Sequence, residues 1–354
     1  MLNKCRLIFL QALYLINRKF IISFLKIFSP DLEKSIVVGD LILFWIMKTP
    51  FKYFFKFHIP KNISTKVFNL NFPSPVIAAS FKDHSSSLHF WQLIGVGAVT
   101  YKTLLKEPSK GNLRPRVVEV RIDGKKHLIN SLGLPNKGID HFINTKVIEN
   151  IIYQNRPIGI SIGGNSDEEY LQSLKKIEQF IENKNYRNIF YEINVSCPNT
   201  VHGKTLNDNC ERLINLLSSF QLITSRPIFV KVAPDTSNDF FLKLGNFLNM
   251  QNNLGINIGN TKSQSVENLN LSSSIFRHES GGLSGPVLYN STLESVKFLS
   301  SRFNFPIIAT GGASDYDSVK NLLENGASLV GMAAQLVFNP FEIAKINRDL
   351  SNEV

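Results

Sequence analysis

The chain has 354 residues, of which 43% are hydrophobic and 19% are charged. This composition is typical of a folded globular protein and excludes a largely disordered chain. The length suffices for one large α/β barrel with a small appendage, or for two ordinary domains. The three cysteines, Cys5, Cys197 and Cys210, provide neither a disulfide framework nor metal-ligand spacing, and the seven histidines form no metal-binding pattern on a helix. We therefore expect no metal site.

A formal net charge of +11 makes the chain strongly basic. The motifs of RNA- and DNA-binding modules are absent, so we expect no nucleic-acid partner. The basic excess is concentrated before residue 62, where only Asp31, Glu33 and Asp40 oppose it. A basic and apolar segment of this kind favours an anionic membrane surface as its partner. The basic residues concerned are Lys4, Arg6, Arg18, Lys19, Lys26, Lys34, Lys48, Lys52, Lys56 and Lys61.

The first sixty residues predict helices. A strong apolar run, Leu7–Ile16, is followed by Arg18 and Lys19 before it is long enough to cross a bilayer. We expect two or three amphipathic helices that lie in the membrane interface, with a break near Ser29-Pro30. The alternatives are a helical cover packed on the bottom of the following domain, a targeting peptide over the first 28 residues, and a membrane-spanning helix, against which the charges argue.

From residue 63 onward, short apolar runs alternate with helical stretches, which indicates a parallel α/β sheet. Eight such steps predict a TIM (β/α)8 barrel. A doubly wound open sheet is the alternative, but no G-x-G-x-x-G motif follows the first strand. The predicted strands are Val76–Ala79, Ala98–Thr100, Ile158–Gly163, Phe190–Val195, Ile228–Val232, Ile256–Gly259, Ile307–Thr310 and Leu329–Gly331. The predicted helices are Asp167–Asn183, Asn209–Ser219, Ser237–Asn249, Thr292–Phe303 and Asp315–Asn325.

Barrel enzymes carry their active sites at the carboxyl ends of the strands. Lysines, amides, a thiol and paired glycines occur at these ends, and Asn130 and Asn136 join them from the long loop after the second strand. A strand-end lysine alone is more often solvated than catalytic, so the prediction depends on the joint placement. The residues at these ends are Ser80, Lys102, Gly163, Gly164, Asn194, Cys197, Asn199, Lys231, Asn260, Thr261, Gly311, Gly312, Met332 and Ala333.

Three glycine-containing segments predict a phosphate site. Thr310–Gly312 ends the seventh strand, Gly326–Ala333 runs through the eighth, and Gly281–Gly285 is a further glycine-rich loop. In this fold, phosphate groups bind after strands seven and eight, where backbone N–H groups must approach closely. The pattern alone allows any phosphorylated ligand.

The most informative stretch is Tyr191–Thr200, in which a short apolar strand ends in a Pro-containing turn with two asparagine amides around the thiol of Cys197. Together with four other segments in the same order, it resembles the dihydroorotate dehydrogenase family over residues 63–345. The resemblance implies an FMN-binding barrel that oxidises (S)-dihydroorotate to orotate, the redox step of pyrimidine synthesis. The other segments are Ile129–Asn136, Val230–Asp235, Gly281–Pro286 and Pro306–Gly312.

The resemblance also implies roles for individual residues. Cys197 would take the proton from C5 of the substrate while C6 delivers hydride to flavin N5. Lys231 would lie near the flavin N1–C2=O edge, and Lys102 would bridge flavin and substrate. The implied substrate-binding residues are Asn130, Asn136, Asn194, Asn199, Asn260 and Thr261. The implied cofactor-binding residues are Ala79, Ser80, Lys102, Ser161, Asn194, Lys231, Asn260, Gly282, Gly285, Gly311, Gly312, Met332 and Ala333.

The family has two branches, and this chain has features of both. The membrane-bound, quinone-reducing branch carries an N-terminal helical pair that forms a quinone tunnel, and residues 20–60 resemble it. We therefore expect a segment for membrane attachment and quinone access over 1–62 and the catalytic barrel over 63–354. The location would be the cytoplasmic side of a bacterial inner membrane, or the mitochondrial inner membrane in a eukaryote. The oligomeric state is not predicted.

Other residues resemble the soluble, fumarate-reducing branch. These are Leu134–Asn136, Lys102 and Cys197. In addition, Glu119 stands where the tunnel arginine of the quinone branch would fall. A soluble acceptor such as fumarate, or another dihydropyrimidine as substrate, is therefore the alternative to quinone and dihydroorotate. A degenerate barrel that serves as a membrane-bound scaffold, without flavin, is a third interpretation.

Overall fold

The computed structural model describes residues 2–195 and 209–352. Two helices, α1 (Leu2–Lys26) and α2 (Leu32–Met47), form the N-terminal extension and are followed by the 3-10 turn Pro50–Phe55. The chain breaks between the helices as predicted. The side chain of Asp31 ends this break by accepting a hydrogen bond from the backbone N–H of Glu33 at 3.0 Å, which caps α2.

Helix α1 continues through Arg18 and Lys19 without a break. Both residue types are good helix formers, so their charge does not interrupt the backbone. Residues Lys4–Lys26 are long and apolar enough to cross a membrane by length and composition, and 11% of this window is buried in the protein. A single helix of this kind is weak support for a membrane span.

A small hairpin closes the amino-terminal end of the barrel. Its strands are β1 (Thr65–Val67) and β2 (Leu70–Phe72). They pack against the first residues of the barrel strands in one apolar cluster. The extension therefore does not cover this end, contrary to one alternative drawn from the sequence. The barrel residues of the cluster are Ile77, Ala98, Phe190, Phe229, Ile308 and Leu329.

Eight parallel strands close into a barrel, which confirms the TIM barrel and all eight predicted strands, and excludes the open sheet. The closure joins the first strand to the last, since Gly331 pairs with Ile77. The strands are β3 (Val76–Lys82), β4 (Val99–Leu104), β7 (Ile158–Ile162), β8 (Ile189–Asn194), β9 (Ile228–Val232), β10 (Leu254–Ile258), β13 (Ile307–Thr310) and β14 (Leu329–Met332).

Helices surround the barrel, and the five predicted ones are present. These are α6 (Asp167–Asn183), α7 (Cys210–Gln221), α8 (Asn238–Leu248), α9 (Tyr289–Ser300) and α10 (Tyr316–Glu324). Five others were not predicted: α3 (Ser85–Ile94), α4 (Gly138–Asn144), α5 (Val147–Ile151), α11 (Ala334–Phe338) and α12 (Glu342–Ser351).

A separate four-stranded antiparallel sheet replaces the long loop expected after the second barrel strand. Its order is β11 (Lys262–Ser265), β12 (Ser280–Ser284), β6 (Lys125–Asn130) and β5 (Val117–Ile122). Two segments that are far apart in sequence thus become neighbours, and Gly282 of β12 pairs with Asn130 of β6. This pairing brings two predicted site residues together.

The barrel interior changes from apolar to polar along the strands. Side chains two residues apart point to the same face of a strand. The apolar layer that contains Phe190 and Phe229 is therefore followed, toward the carboxyl ends, by a layer that contains Glu192 and Lys231, both buried. This polar layer lies beneath the candidate site.

Candidate functional site

One cavity, with a volume of about 1180 Å³, extends from the carboxyl ends of the barrel strands to helices α1 and α2. Its lining combines apolar residues of the extension with the lysines, amides and glycines that the sequence predicted. The predicted residues that line it are Ala79, Ser80, Lys102, Asn130, Asn136, Asn194, Lys231, Asn260, Thr261, Gly285, Gly311, Gly312 and Ala333. The joint placement predicted for them is therefore present.

Three predicted cofactor residues are not among the lining residues. Ser161 is fully buried and donates a hydrogen bond to Glu192 at 2.9 Å. The side chain of Met332 is buried in the main hydrophobic core, although the next residue lines the cavity. Gly282 lies behind Asn130, whose Nδ2 donates to its carbonyl oxygen at 3.2 Å. Cys197 and Asn199 lie outside the described residues.

The amides of the site form a connected set. Asn194 Nδ2 donates to Thr103 Oγ1 at 2.9 Å, and its Oδ1 accepts from Asn260 Nδ2 at 3.4 Å. The hydroxyl of Tyr170 donates to the backbone carbonyl of Asn194 at 2.7 Å, which fixes the end of β8. The backbone N–H of Thr261 donates to Asn260 Oδ1 at 2.9 Å. These contacts orient planar polar groups toward the cavity, where they can recognise a planar polar ring.

Asn136 has a second use that the sequence did not indicate. Its Oδ1 accepts from the backbone N–H groups of Leu105 at 3.3 Å and Gly138 at 2.8 Å, and its Nδ2 donates to the carbonyl of Leu134 at 2.8 Å. Most of its hydrogen-bonding capacity is therefore used to shape the loop at the cavity wall.

Sequence reasoning missed one buried carboxylate at the centre of the site, Glu192. It accepts hydrogen bonds from Ser80 and Asn257 in addition to Ser161, and Lys231 Nζ lies 3.5 Å from its Oε1. The signal was present, because this residue is the only acid in the apolar run of β8. An acid at such a position is almost never fully buried unless it is paired.

Lys102 projects from β4 into the cavity wall. Burial lowers the pKa of this lysine, while the charge of Asp83 opposes the change. An anionic ligand beside this buried lysine would favour its charged form and offset the cost of its burial.

The glycine-rich strand ends form a narrow pocket suited to a phosphate group. A Cβ on Gly312, which has a φ of +82°, would lie 2.3 Å from the backbone nitrogen of Tyr289, and a Cβ on Gly311 would lie 2.4 Å from Thr292 Oγ1. The hydroxyls of Thr292 and Thr310 are buried and have no hydrogen-bond partner among the described residues. A phosphate group bound at this glycine turn would accept hydrogen bonds from these two unpaired hydroxyls.

Helix α1 contacts the barrel through polar groups at the cavity. Arg18 Nη2 lies 2.6 Å from Glu119 Oε2, and its Nε donates to the carbonyl of Val337 at 3.0 Å. The hydroxyl of Tyr14 donates to the same carbonyl at 2.8 Å. Burial alone would raise the pKa of Glu119, but the hydrogen bond and charge of Arg18, together with Lys126, lower it overall. Arg18 of α1 thus places a guanidinium against Glu119 of β5 at the cavity.

Helix α2 is attached to the loop that carries the predicted substrate residues. Arg116, which is 3% exposed, donates to both oxygens of Glu33 at 2.9 and 3.1 Å. The same guanidinium donates to the carbonyls of Lys110, Asn112 and Leu132 at 2.8, 2.6 and 3.3 Å. One buried arginine therefore joins the extension to the two segments of this loop.

A second ion pair attaches the middle of α2. Asp40 Oδ2 lies 2.5 Å from Lys82 Nζ at the end of β3, and its Oδ1 accepts from Ser87 Oγ at 2.9 Å. With Asp31 at 3.7 Å from Arg114, all three carboxylates of the extension face the barrel.

The opposite surface of the extension is basic and apolar. Its lysines Lys4, Lys19, Lys26, Lys34, Lys48 and Lys56 are exposed, and within the described ranges none of them forms an ion pair with a carboxylate. Large apolar side chains are exposed between them. These include Phe9, Ile16, Phe20, Phe24, Phe28, Trp45 and Phe51. This surface combines the two properties that favour an anionic lipid interface.

Comparisons with known proteins agree with the geometry of the barrel. A sequence model of the family described as dihydroorotate dehydrogenase matches residues 62–354. The catalytic subunit of dihydroorotate dehydrogenase B (NAD(+)) from Malacoplasma penetrans is 28% identical over 284 residues, which cover 79% of this chain and 89% of that protein. Dihydroorotate dehydrogenase (quinone) from Christiangramia forsetii is 28% identical over 305 residues, which cover 81% and 84%.

Among solved structures, the chain is similar to the dihydroorotate dehydrogenase of Eimeria tenella in complex with ferulenol. The TM-score is 0.72 at 21% identity, and the match covers 89% of this chain and 91% of that one. At this identity the likeness shows the fold alone.

Proposed function

The chain belongs to the dihydroorotate dehydrogenase family, and from that premise we propose that it oxidises (S)-dihydroorotate to orotate with FMN as its cofactor. The observation that carries the proposal is the convergence of Lys102, Lys231 and the amides of Asn130, Asn194 and Asn260 on one cavity at the strand ends.

FMN fits the residues that are present. The Gly311–Gly312 turn lines the cavity, and the unpaired hydroxyls of Thr292 and Thr310 next to it would bind the phosphate. Ala79 and Ser80 would contact the cofactor from the end of β3, and Lys231 would face the flavin N1–C2=O edge. When bound, FMN accepts the hydride that leaves C6 of the substrate.

The residues of the chain supply binding and proton transfer. Asn130, Asn194 and Asn260, with Thr261 beside them, would hold the amide and carboxylate groups of the substrate. Asn199 would complete this set, and Cys197 would take the proton from C5; both remain predictions from sequence. A thiol titrates near pH 8.5, so modest tuning makes it a competent base at neutral pH.

We propose a lipophilic quinone as the electron acceptor. In support, the cavity continues from the strand ends to apolar residues of α1 and α2, including Leu10, Leu13, Ile36 and Leu43. Arg18 adds a cationic group to this part of the cavity. Several relatives are named NAD(+)-type catalytic subunits, so NAD(+) is the competing acceptor, with fumarate as a third.

We further propose that residues 1–62 attach the protein to a membrane and give quinone access, while 63–354 form the catalytic barrel. The exposed lysines and aromatic side chains of the extension support this division. The location would be the cytoplasmic side of a bacterial inner membrane, or the mitochondrial inner membrane in a eukaryote.

The test is an anaerobic titration of the full-length protein, purified in detergent, with dihydroorotate. We expect the visible flavin absorbance to bleach, and the absorbance to return with a ubiquinone analogue faster than with fumarate or NAD(+). A yellow protein that dihydroorotate does not bleach would refute the substrate. A protein without flavin would refute the proposal as a whole, and bleached protein that only NAD(+) or fumarate reoxidises would refute the acceptor.

A further inference from the structure

The carboxylate of Glu192 has no part in the mechanism proposed above, although it lies at the centre of the barrel. Its side chain is 2% exposed. Phe190 lies two residues before Glu192, and Phe229 lies two residues before Lys231. Both phenylalanines belong to the apolar layer at the amino-terminal end of the barrel. The carboxylate thus lies between an apolar layer and the cavity, where water cannot solvate its charge. A buried ion in such surroundings is tolerated only if it is paired and hydrogen-bonded.

The partners of Glu192 come from four other strands. Oε1 accepts hydrogen bonds from the hydroxyls of Ser80 and Ser161, and Oε2 accepts one from Asn257 Nδ2 at 2.7 Å. Lys231 Nζ lies 3.5 Å from Oε1 and donates to Ser80 Oγ at 3.0 Å. The ammonium of Lys231 is therefore held by the carboxylate directly and through one bridging hydroxyl.

These contacts hold the ammonium of Lys231 in place at the bottom of the cavity, and the carboxylate of Glu192 offsets its charge. In the proposed cofactor complex, Lys231 would face the N1–C2=O edge of the ring. A cation beside a flavin ring stabilises the anionic reduced form, and so raises the reduction potential. A carboxylate 3.5 Å from that cation, in surroundings of low dielectric constant, opposes this effect strongly.

We propose that Glu192 is a positioning residue that holds Lys231 at the floor of the cavity and, by offsetting its charge, lowers the reduction potential of the bound FMN. The inference rests on the proposed function, because it needs a flavin in the cavity. It adds that the ion pair, and not the lysine alone, sets how readily the cofactor is reduced.

The experiment measures the reduction potential of the bound flavin in the full-length holoenzyme, by equilibration with a redox dye of known potential. The variant is Glu192→Gln, which keeps the shape of the side chain and removes its charge. We expect a shift to a more positive potential. Glu178→Gln is the matched control. Glu178 is also a buried glutamate in an ion pair, with Arg226 Nε at 3.0 Å, but it lies on helix α6, outside the barrel. The control potential should equal that of the wild type.

A second comparison covers the case in which Glu192→Gln does not fold. Removing both members of a buried ion pair is often tolerated when removing one is not. With both charges removed, the double variant Glu192→Gln/Lys231→Gln should have a potential close to that of the wild type, because the carboxylate offsets the ammonium. A lysine that acts unopposed would instead make the double variant clearly more negative. A residue that only supports the fold would change flavin occupancy or thermal stability, but would leave the potential of the retained flavin unchanged.

The outcomes separate this inference from the proposed function. Equal potentials in wild type and Glu192→Gln, or a double variant clearly more negative than the wild type, would overturn the inference while the flavin enzyme stands. A more negative potential would overturn it as well. A wild-type protein that binds no flavin would overturn both.

Discussion

Glu33 attaches α2 to the loop that contains Arg116, and this contact leads to a quantitative prediction for Glu33→Gln. The wild-type carboxylate accepts two hydrogen bonds from Arg116 and one from Arg114 at 3.2 Å. A glutamine retains one neutral acceptor, so the variant loses a bidentate, charge-assisted contact to a buried guanidinium. We estimate the loss at about 2 kcal/mol, which corresponds to about a 30-fold change in the equilibrium between attached and detached α2.

Hydrogen–deuterium exchange measures this equilibrium directly. Amides of α2 should exchange about 30-fold faster in the variant, and so should those of residues 109–116, since Arg116 also binds the carbonyls of that loop. The KM for dihydroorotate should rise because the loop is less ordered. Lys34→Gln is the matched control, because it removes a charge from the next residue on the exposed face. Faster exchange in α2 with unchanged exchange in 109–116 would refute the coupling between helix and loop.

Three further predictions concern the barrel, the cofactor and pH. Phe229→Ala should lower the free energy of unfolding in urea by about 3–5 kcal/mol, because the ring is fully buried in the apolar layer; a loss below 1 kcal/mol would contradict this packing. Gly312→Ala should abolish copurification of FMN, since its Cβ would clash with the backbone of Tyr289; full flavin occupancy would show that the phosphate binds elsewhere. Because pairing with Arg18 lowers the pKa of Glu119, the pair stabilises the attachment of α1 fully at pH values above 4.5, the ordinary pKa of a glutamate. This stabilisation is lost as the pH falls through the lowered pKa of Glu119. Proteolysis of α1 with an acid-active protease should therefore accelerate across that range, and Glu119→Gln should remove this dependence.

The barrel could be predicted because its strands are apolar runs between turn residues, and every step repeats the same pattern. The antiparallel sheet could not, because β6 and β12 are paired at Asn130 and Gly282, which are far apart in the chain. No local pattern of either segment specifies the other as its partner. The closing hairpin β1–β2 was missed for a different reason, because each of its strands has only three residues, too few for an alternating pattern to be recognised.

The site shows a similar division. Residues at strand ends, such as Lys102 and Lys231, could be placed from the order of the strands alone. Glu192 could be noticed as the one acid in an apolar strand, but the groups that Glu192 and Arg116 contact could not be read from the sequence. For Arg18, the sequence showed a charge in an apolar run, and only the approach of α1 to β5 shows that this charge pairs with Glu119.

The closure of the barrel has a consequence for the order of events during synthesis. Pairing of β14 with β3 cannot form until nearly the whole chain has left the ribosome. The extension emerges first, long before Glu119, Arg116 and the other groups that its inward face contacts. Through most of translation, its apolar faces lack their protein partners. A nascent chain therefore exposes this apolar segment for most of its synthesis, before the barrel that its inward face contacts exists.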